Sequence, residues 1–314
     1  MLGILIMFNI PSKWVEDSFS KISYKFKISS AIAGGFFLAI ASSAPEFFTA
    51  TSGVLYYRIF SIGFDTLIWS AIFNLCIIIG VGTYFKNPLL IRRSILVRDM
   101  PFLGIAIFIL LILALDGVYS TVDFILLIVV YLVYLSFLYF DKSKSYPDTK
   151  TNFSRKEIIL KLSFGLILIA LLAHSMVSIG QETIKLFEQF YGFALPVGVL
   201  ACTIYGPGTS IADLFMSIAA IRKGNYTAAV VNGISSNTFD LTICIGIPGL
   251  AYTFLTGKEI LINLNSSLLI ISMLSISFVL VYFILRDGKV TKRKGTILLV
   301  YFLSCMIVYL IQIF

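Results

Sequence analysis

The chain has 314 residues, 59% of them hydrophobic and 13% charged, with a formal net charge of +8. That composition lies far from the soluble average and excludes an ordinary soluble domain. Its long apolar runs do not alternate as β-barrel segments do, so the chain reads as an all-α integral membrane protein.

In chain order, "MLGILIMFNI" comes first. It has no basic lead-in and no small-residue cleavage site, which makes it a poor signal peptide. It is too short to cross a bilayer unless it continues through "PSKWVEDSF", and it is expected to be a short, partly inserted first helix. A spanning helix needs roughly 20 apolar residues. Full spans are expected near 30–54, 62–85, 101–116, 119–140, 157–179, 190–221, 226–256, 261–285 and 296–314. The most polar segment, "DKSKSYPDTKTNFSRKE" at 141–157, divides the chain into halves.

The basic residues follow membrane topology rather than nucleic-acid binding. Loops 1–2, 3–4, 5–6, 7–8 and 9–10, with their flanks, hold 21 of the 24 Lys and Arg, from Lys13 and Lys21 to Lys292 and Lys294. The opposite loops hold Arg58, Lys185 and Lys258. The positive-inside rule puts the first set and the linker in the cytoplasm and both termini outside, with the plasma membrane as the expected location. The four cysteines lie in apolar spans without a CxxC pair and read as packing residues. One histidine, His174, is too few for a zinc site or a Ser–His–Asp triad and reads as packed or locally bonded. No enzymatic function is expected.

The two halves repeat a pattern. "SAPEFF" at 43–48 is followed by "SAIFN" at 70–74, and "SIADLF" at 210–215 by "SNTFD" at 236–240, at nearly equal spacing. Five helices separate the two pairs, so the repeats enter the membrane from opposite sides. Inverted repeats are the architecture of secondary transporters, whose substrate site lies near mid-membrane. The expected fold is about ten helices in two inverted five-helix repeats. Residues 1–140 form the first (motif region 30–85), 141–157 the cytoplasmic linker and 158–314 the second (motif region 190–256).

Three acids sit well within spans: Glu46, Asp213 and Asp240. A charge at the bilayer centre costs about 2.5–3.5 kcal/mol on insertion scales, and no Lys or Arg lies deep enough to pair with them. They are therefore protonated or hold a cation. Small oxygen donors cluster beside them, among them Ser42, Ser43, Thr49, Thr209, Ser210, Ser217, Ser235, Ser236, Asn237 and Thr242. Ser70 and Asn74, like Ser236 and Asp240, are spaced to share one helix face. Carboxylates with neutral oxygens suit calcium, and sodium can share the ligands. Pro45 and the "GPG" at 206–208 predict helix breaks at matching places, which point to a transport site.

At these residues the chain resembles the cation/calcium exchanger superfamily, and within it the potassium-dependent sodium/calcium exchangers. "SSAPEFFTA" stands where that family has G-S-A-P-E-L-F-T-S, and "GTSIADLFMSIAAIRKG" with "SSNTFD" stand for its second repeat. The resemblance covers nearly the whole chain. It implies that Glu46 and Asp213 hold calcium and that Ser42, Ser43, Ser70, Asn74, Thr209, Ser210, Ser236 and Asp240 complete the calcium and sodium sites. Asp240 is the position it links to potassium, and the carbonyls of Ala39 and Gly206 are implied backbone ligands. The implied function is exchange of sodium, with potassium as a second candidate ion, for calcium by alternating access, with no cofactor. A calcium/proton exchanger on the same fold and a cation-binding protein impaired in transport are the alternatives. Trp69 and Ser235 stand where the family has glycine, and Ala212 where it has proline. The tryptophan is expected to disturb close helix packing.

Overall fold

The computed structural model describes residues 2–28, 32–140 and 154–313. Most of the linker expected at 141–157 lies outside the described residues. Its last three residues are helical, because the sixth helix already begins at Arg155.

Ten helical runs are present among the described residues. Helix α1 comprises Leu2–Met7 and Asn9–Lys25. Helix α2 comprises Ala33–Leu38, Ala39–Ser42, Ala44–Thr51 and Ser52–Tyr56. The remaining eight are long and apolar enough to cross a membrane: α3 Phe60–Phe85, α4 Leu96–Leu113, α5 Thr121–Phe140, α6 Arg155–Tyr191, α7 Val197–Arg222, α8 Ala229–Thr256, α9 Leu264–Leu285 and α10 Lys292–Ile313.

The first helix corrects an expectation. It is not short, because Lys13, Glu16, Asp17 and Lys21 lie within the helix rather than in a loop after it. Its polar residues hide it from a hydropathy reading. Val15 and Ser12 are buried while Lys13 and Asp17 are exposed, so one face packs and the other is wet. The packed face lies on α6, where the chain comes close enough that a Cβ on Gly165 would meet Val15 Cγ2 at 2.8 Å. Helix α6 is longer than the expected 157–179 and ends in a left-handed glycine, Gly192, at φ 77°.

Helix α3 is the centre of the bundle. Ninety-four per cent of its apolar window is buried, against 22% for α10, which faces outward. A continuous hydrophobic core joins α3 to α4, α5, α8, α9 and α10, and a smaller one sits between α1, α2, α6 and α7. Asp99, at the head of α4, is 1% exposed and is held by Arg98 at 3.0 Å and by the Tyr134 hydroxyl at 3.0 Å.

Two short antiparallel ladders tie the halves together. Strand β1 (Leu89–Leu90) pairs with β4 (Lys289–Val290), and β2 (Val118–Tyr119) with β3 (Ile260–Leu261). Loops 3–4 and 9–10 therefore lie on one side of the bundle and loops 4–5 and 8–9 share their own ladder. The charge count groups the loops in the same way. The pairing of a first-half loop with a second-half loop in both ladders fits two inverted five-helix repeats.

Candidate functional site

The break in α2 falls at Ser43 and the break in α7 at Ser210. Both serines take nearly the same backbone shape, φ −88° and ψ 7° against φ −81° and ψ −1°. This is the sparsely populated bridge region. Pro45 stands at the start of the segment after the first break, where its missing N–H leaves no bond unmade. Pro207 precedes the second break instead. The substitution Ala212 for proline therefore leaves a break in place. Each break starts a new helical segment, and Glu46 and Asp213 sit in the first turns of those segments. The positive end of a helix dipole stabilises a carboxylate there, which answers the absence of a neighbouring Lys or Arg.

Helices α3 and α8 carry matching features. A π-helical turn starts at Asn74 and runs to Ile78, and another starts at Asp240 and runs to Cys244. Such turns occur often at functional sites. They swing Asn74 and Asp240 inward beside the two broken helices.

The four segments meet across the repeats. Ser70 and Ser210 hydroxyls are 2.7 Å apart, and each lies within reach of Glu46 Oε1, at 3.3 and 3.4 Å. The Asn74 amide donates to Asn237 Oδ1 at 3.0 Å and to Asp213 Oδ2 at 3.4 Å. Asn237 in turn donates to the Ala71 carbonyl at 3.0 Å. Thr209 lies beside Glu46, Ser42 beside Asp213, and Ser43 beside Asp240. The implied site residues Glu46, Ser42, Ser43, Ser70, Asn74, Thr209, Ser210, Asp213, Ser236 and Asp240 are all at most 1% exposed.

The acceptors outnumber the donors. Glu46 Oε2, Asp240 Oδ2, Asn74 Oδ1 and Ser43 Oγ are buried without a hydrogen-bond partner. A buried polar atom left unpaired costs about 1–3 kcal/mol. Three of these four are pure acceptors, so a cation or a proton satisfies them and another acceptor does not. The two implied carbonyls are occupied by their own chain. Ala39 O accepts from the Ser42 hydroxyl at 3.3 Å, and Gly206 O from Ser210 at 3.0 Å and Thr209 at 3.2 Å. Ser236 likewise donates to Gly233 O at 3.3 Å. Among the described residues no three His, Cys, Asp or Glu side chains converge at metal-binding spacing. The site is thus one of separated carboxylates joined by neutral oxygens, a chemistry suited to hard cations.

Sequence reasoning missed two residues and misplaced a third. Asn232 donates to Asp213 Oδ1 at 2.9 Å and fixes that carboxylate from the far side. An amide inside an apolar span was the available signal. Asn237, read as a neighbour of Asp240, instead bridges α8 to α3. Asp65 is a fourth carboxylate inside a span, 6% exposed, and lines a separate cavity of about 470 Å³ with Asn263, Ser266 and Tyr309. His174 does not join the acids. Its Nδ1 bonds Ser52 at 2.9 Å, and its ring lies against Tyr56 and Tyr57.

Trp69 corrects the expectation of disturbed packing. Its indole lies against α10, edge-on to Tyr309 at 5.3 Å and Phe302 at 6.3 Å. Close approach of α3 and α7 is supplied from the other helix. A Cβ on Gly206 would lie 2.6 Å from Trp69 Cβ and 2.9 Å from the Ser70 nitrogen. The small residue has changed sides.

An all-helical membrane protein with two inverted repeats and broken helices at their interface has the fold of secondary transporters. The chain belongs to the sodium/calcium exchanger protein family, whose model matches residues 1–140 and 158–311. It is 36% identical over 114 residues to a probable sodium/potassium/calcium exchanger of Drosophila melanogaster, covering 35% of this chain and 18% of that one. Over 146 residues it is 31% identical to sodium/potassium/calcium exchanger 2 of Rattus norvegicus, covering 45% and 22%. The chain thus matches about a fifth of the length of these relatives. An uncharacterized membrane protein of Methanocaldococcus jannaschii is 23% identical over 301 residues, 95% of this chain and 93% of that one. Two solved structures share the fold. The H+/Ca2+ exchanger CAX superposes with a TM-score of 0.72 at 13% identity, over 98% of this chain and 83% of that one. The sodium-calcium exchanger NCX_Mj superposes at 0.69 and 21% identity, over 97% and 95%.

Proposed function

We propose that this chain is a secondary active antiporter that exchanges sodium for calcium by alternating access, with potassium as a co-ion at Asp240. The observation that carries this reading is the set of unpartnered acceptor oxygens on Glu46, Asp240 and Asn74, held where the broken helices of both repeats meet. Calcium binds between Glu46 and Asp213, with Asn74, Ser42, Ser43, Ser70, Thr209, Ser210 and Ser236 supplying neutral oxygens. Sodium uses overlapping ligands. Each ion neutralises charge that the other also needs, so binding of one favours release of the other. On this reading residues 1–140 and 158–314 are the two repeats, and the linker and the basic loops face the cytoplasm of a plasma-membrane protein.

The unpartnered carboxylate oxygens also accept protons, which supports calcium/proton exchange as the second reading. Impaired transport loses its main argument, because Trp69 packs away from the site. Radiolabelled calcium uptake into proteoliposomes decides between the couplings. The proposal expects uptake driven by internal sodium and stimulated by potassium. Uptake driven only by a pH gradient would replace it with proton exchange.

A further inference from the structure

A cavity of about 880 Å³ opens beside α1 and α7, lined among others by Lys13, Glu16, Asp17, Met216, Ala220 and Lys223. A second, smaller cavity of about 150 Å³ adjoins it. Glu16, Met216 and Ala220 line both. The inner one ends on Ser217 and Asn232, and Asn232 is the residue that grips Asp213 at 2.9 Å. Along α7, Asp213, Met216 and Ala220 recur at the spacing of one helix face, so the two cavities follow a single stripe. The stripe runs roughly 10 Å from Asp213 to Ala220 at the α-helical rise. Lys13, Asp17 and Lys223 line only the outer cavity, and among the described residues Glu16 is the one charged residue lining the inner one.

We propose that Glu16 is a way-station carboxylate: it draws a divalent cation from the vestibule into the inner chamber and passes it to and from Asp213. The inference rests on the exchanger reading and adds a residue outside the binding cavity to it. A cation leaving the Asp213 carboxylate enters a narrow chamber whose remaining walls are Leu38, Met216, Ser217, Ala220, Ala229 and Asn232. Without Glu16 it would cross that chamber with no opposite charge in its walls, and desolvation would oppose the step. The carbonyl end of α7, at Ala219 to Lys223, adds partial negative charge at the mouth. Lys13 and Lys223 outweigh Asp17 in the outer cavity, so the attraction for a cation comes from Glu16 at the inner end. The role is kinetic: Glu16 changes how fast calcium reaches Asp213 from this face and leaves the affinity of the occupied site nearly unchanged.

Rapid-filtration binding of radiolabelled calcium to the purified full chain in nanodiscs tests this, alongside flux in sidedness-sorted proteoliposomes. Focused charge alters on-rates by ~10–10³-fold, and Glu16→Gln is expected to slow calcium association and dissociation together about tenfold, with Glu16→Asp close to wild type. In flux, half-saturating calcium rises at the face bearing Lys13 and Lys223 and stays unchanged at the other. Glu16→Cys adds a charge test, because Cys76, Cys202, Cys244 and Cys305 are all buried. A sulfonate-bearing thiol reagent should restore the rate and a trimethylammonium-bearing one should not. Wild-type binding rates in Glu16→Gln, equal effects at both faces, or equal effects of the two reagents would overturn the proposal. Absent sodium-driven flux in the wild type would instead overturn the sodium-exchange reading, and the binding rates would still decide the role of Glu16.

Discussion

Gly206→Ala probes a close contact between the two repeats. The added Cβ would stand 2.6 Å from Trp69 Cβ, 2.9 Å from the Ser70 nitrogen and 3.0 Å from the Trp69 carbonyl carbon, where ordinary contact begins at 3.4 Å. Two of those three atoms are backbone and cannot rotate away, so α3 and α7 must separate by several tenths of an ångström. The Ser70–Ser210 contact of 2.7 Å spans the same gap and lengthens with it. Overpacking of this kind costs about 1–3 kcal/mol, and replacing glycine in a helix returns up to about 1 kcal/mol. With backbone in the way, the expected net loss is about 2 kcal/mol, accompanied by a weaker calcium-induced rise in melting temperature. Gly233→Ala is the internal control. Its nearest neighbours, Asn74 O and Ile78 Cδ1, lie at 3.7 Å, so it should be neutral or slightly stabilising. Thermal unfolding of the detergent-solubilised chain, with and without calcium, measures both. Wild-type melting and wild-type calcium stabilisation in Gly206→Ala would refute the argument, as would equal damage from Gly233→Ala.

Three further outcomes follow from the geometry. Asn232→Ala removes the 2.9 Å bond that orients Asp213, and calcium affinity in equilibrium binding should fall ~10–100-fold, the usual cost of losing such a support, while the fold survives. Trp69→Ala empties a fully buried site against Tyr309 and Phe302 and should cost about 3–5 kcal/mol in thermal unfolding, with calcium affinity close to wild type because the indole faces away from the acids. Asp240→Asn should abolish potassium stimulation of sodium-driven uptake and leave the sodium requirement, and a mutant still stimulated by potassium would remove that ion from Asp240.

The acids, the paired motifs and the ten-helix plan were legible because burying a charge in a bilayer is expensive and a repeated pattern exposes it. The matching breaks at Ser43 and Ser210 followed from Pro45 and the "GPG" stretch, although only one proline lies at the break's helical side. Helix α1 was misjudged as short because hydropathy averages over a helix that is apolar on one face and lines a wet cavity with Glu16 and Lys13 on the other. Trp69 was misjudged because residue size along one helix does not say which way a side chain points or whether the facing helix offers a glycine. Asn232 and the π-helical turns at Asn74 and Asp240 escaped notice for a related reason. Each takes its meaning from a tertiary contact, and only Asn232 left a local mark, an amide inside an apolar span.

The most direct test of the central claim compares wild type with Glu46→Gln and Asp213→Asn in one experiment: equilibrium calcium binding to purified protein, followed by sodium-driven calcium uptake by the same preparations. The account predicts saturable binding and uptake in the wild type and the loss of both in each folded mutant. Calcium binding and transport that persist in Glu46→Gln would contradict it and move the cation site away from the junction of the broken helices.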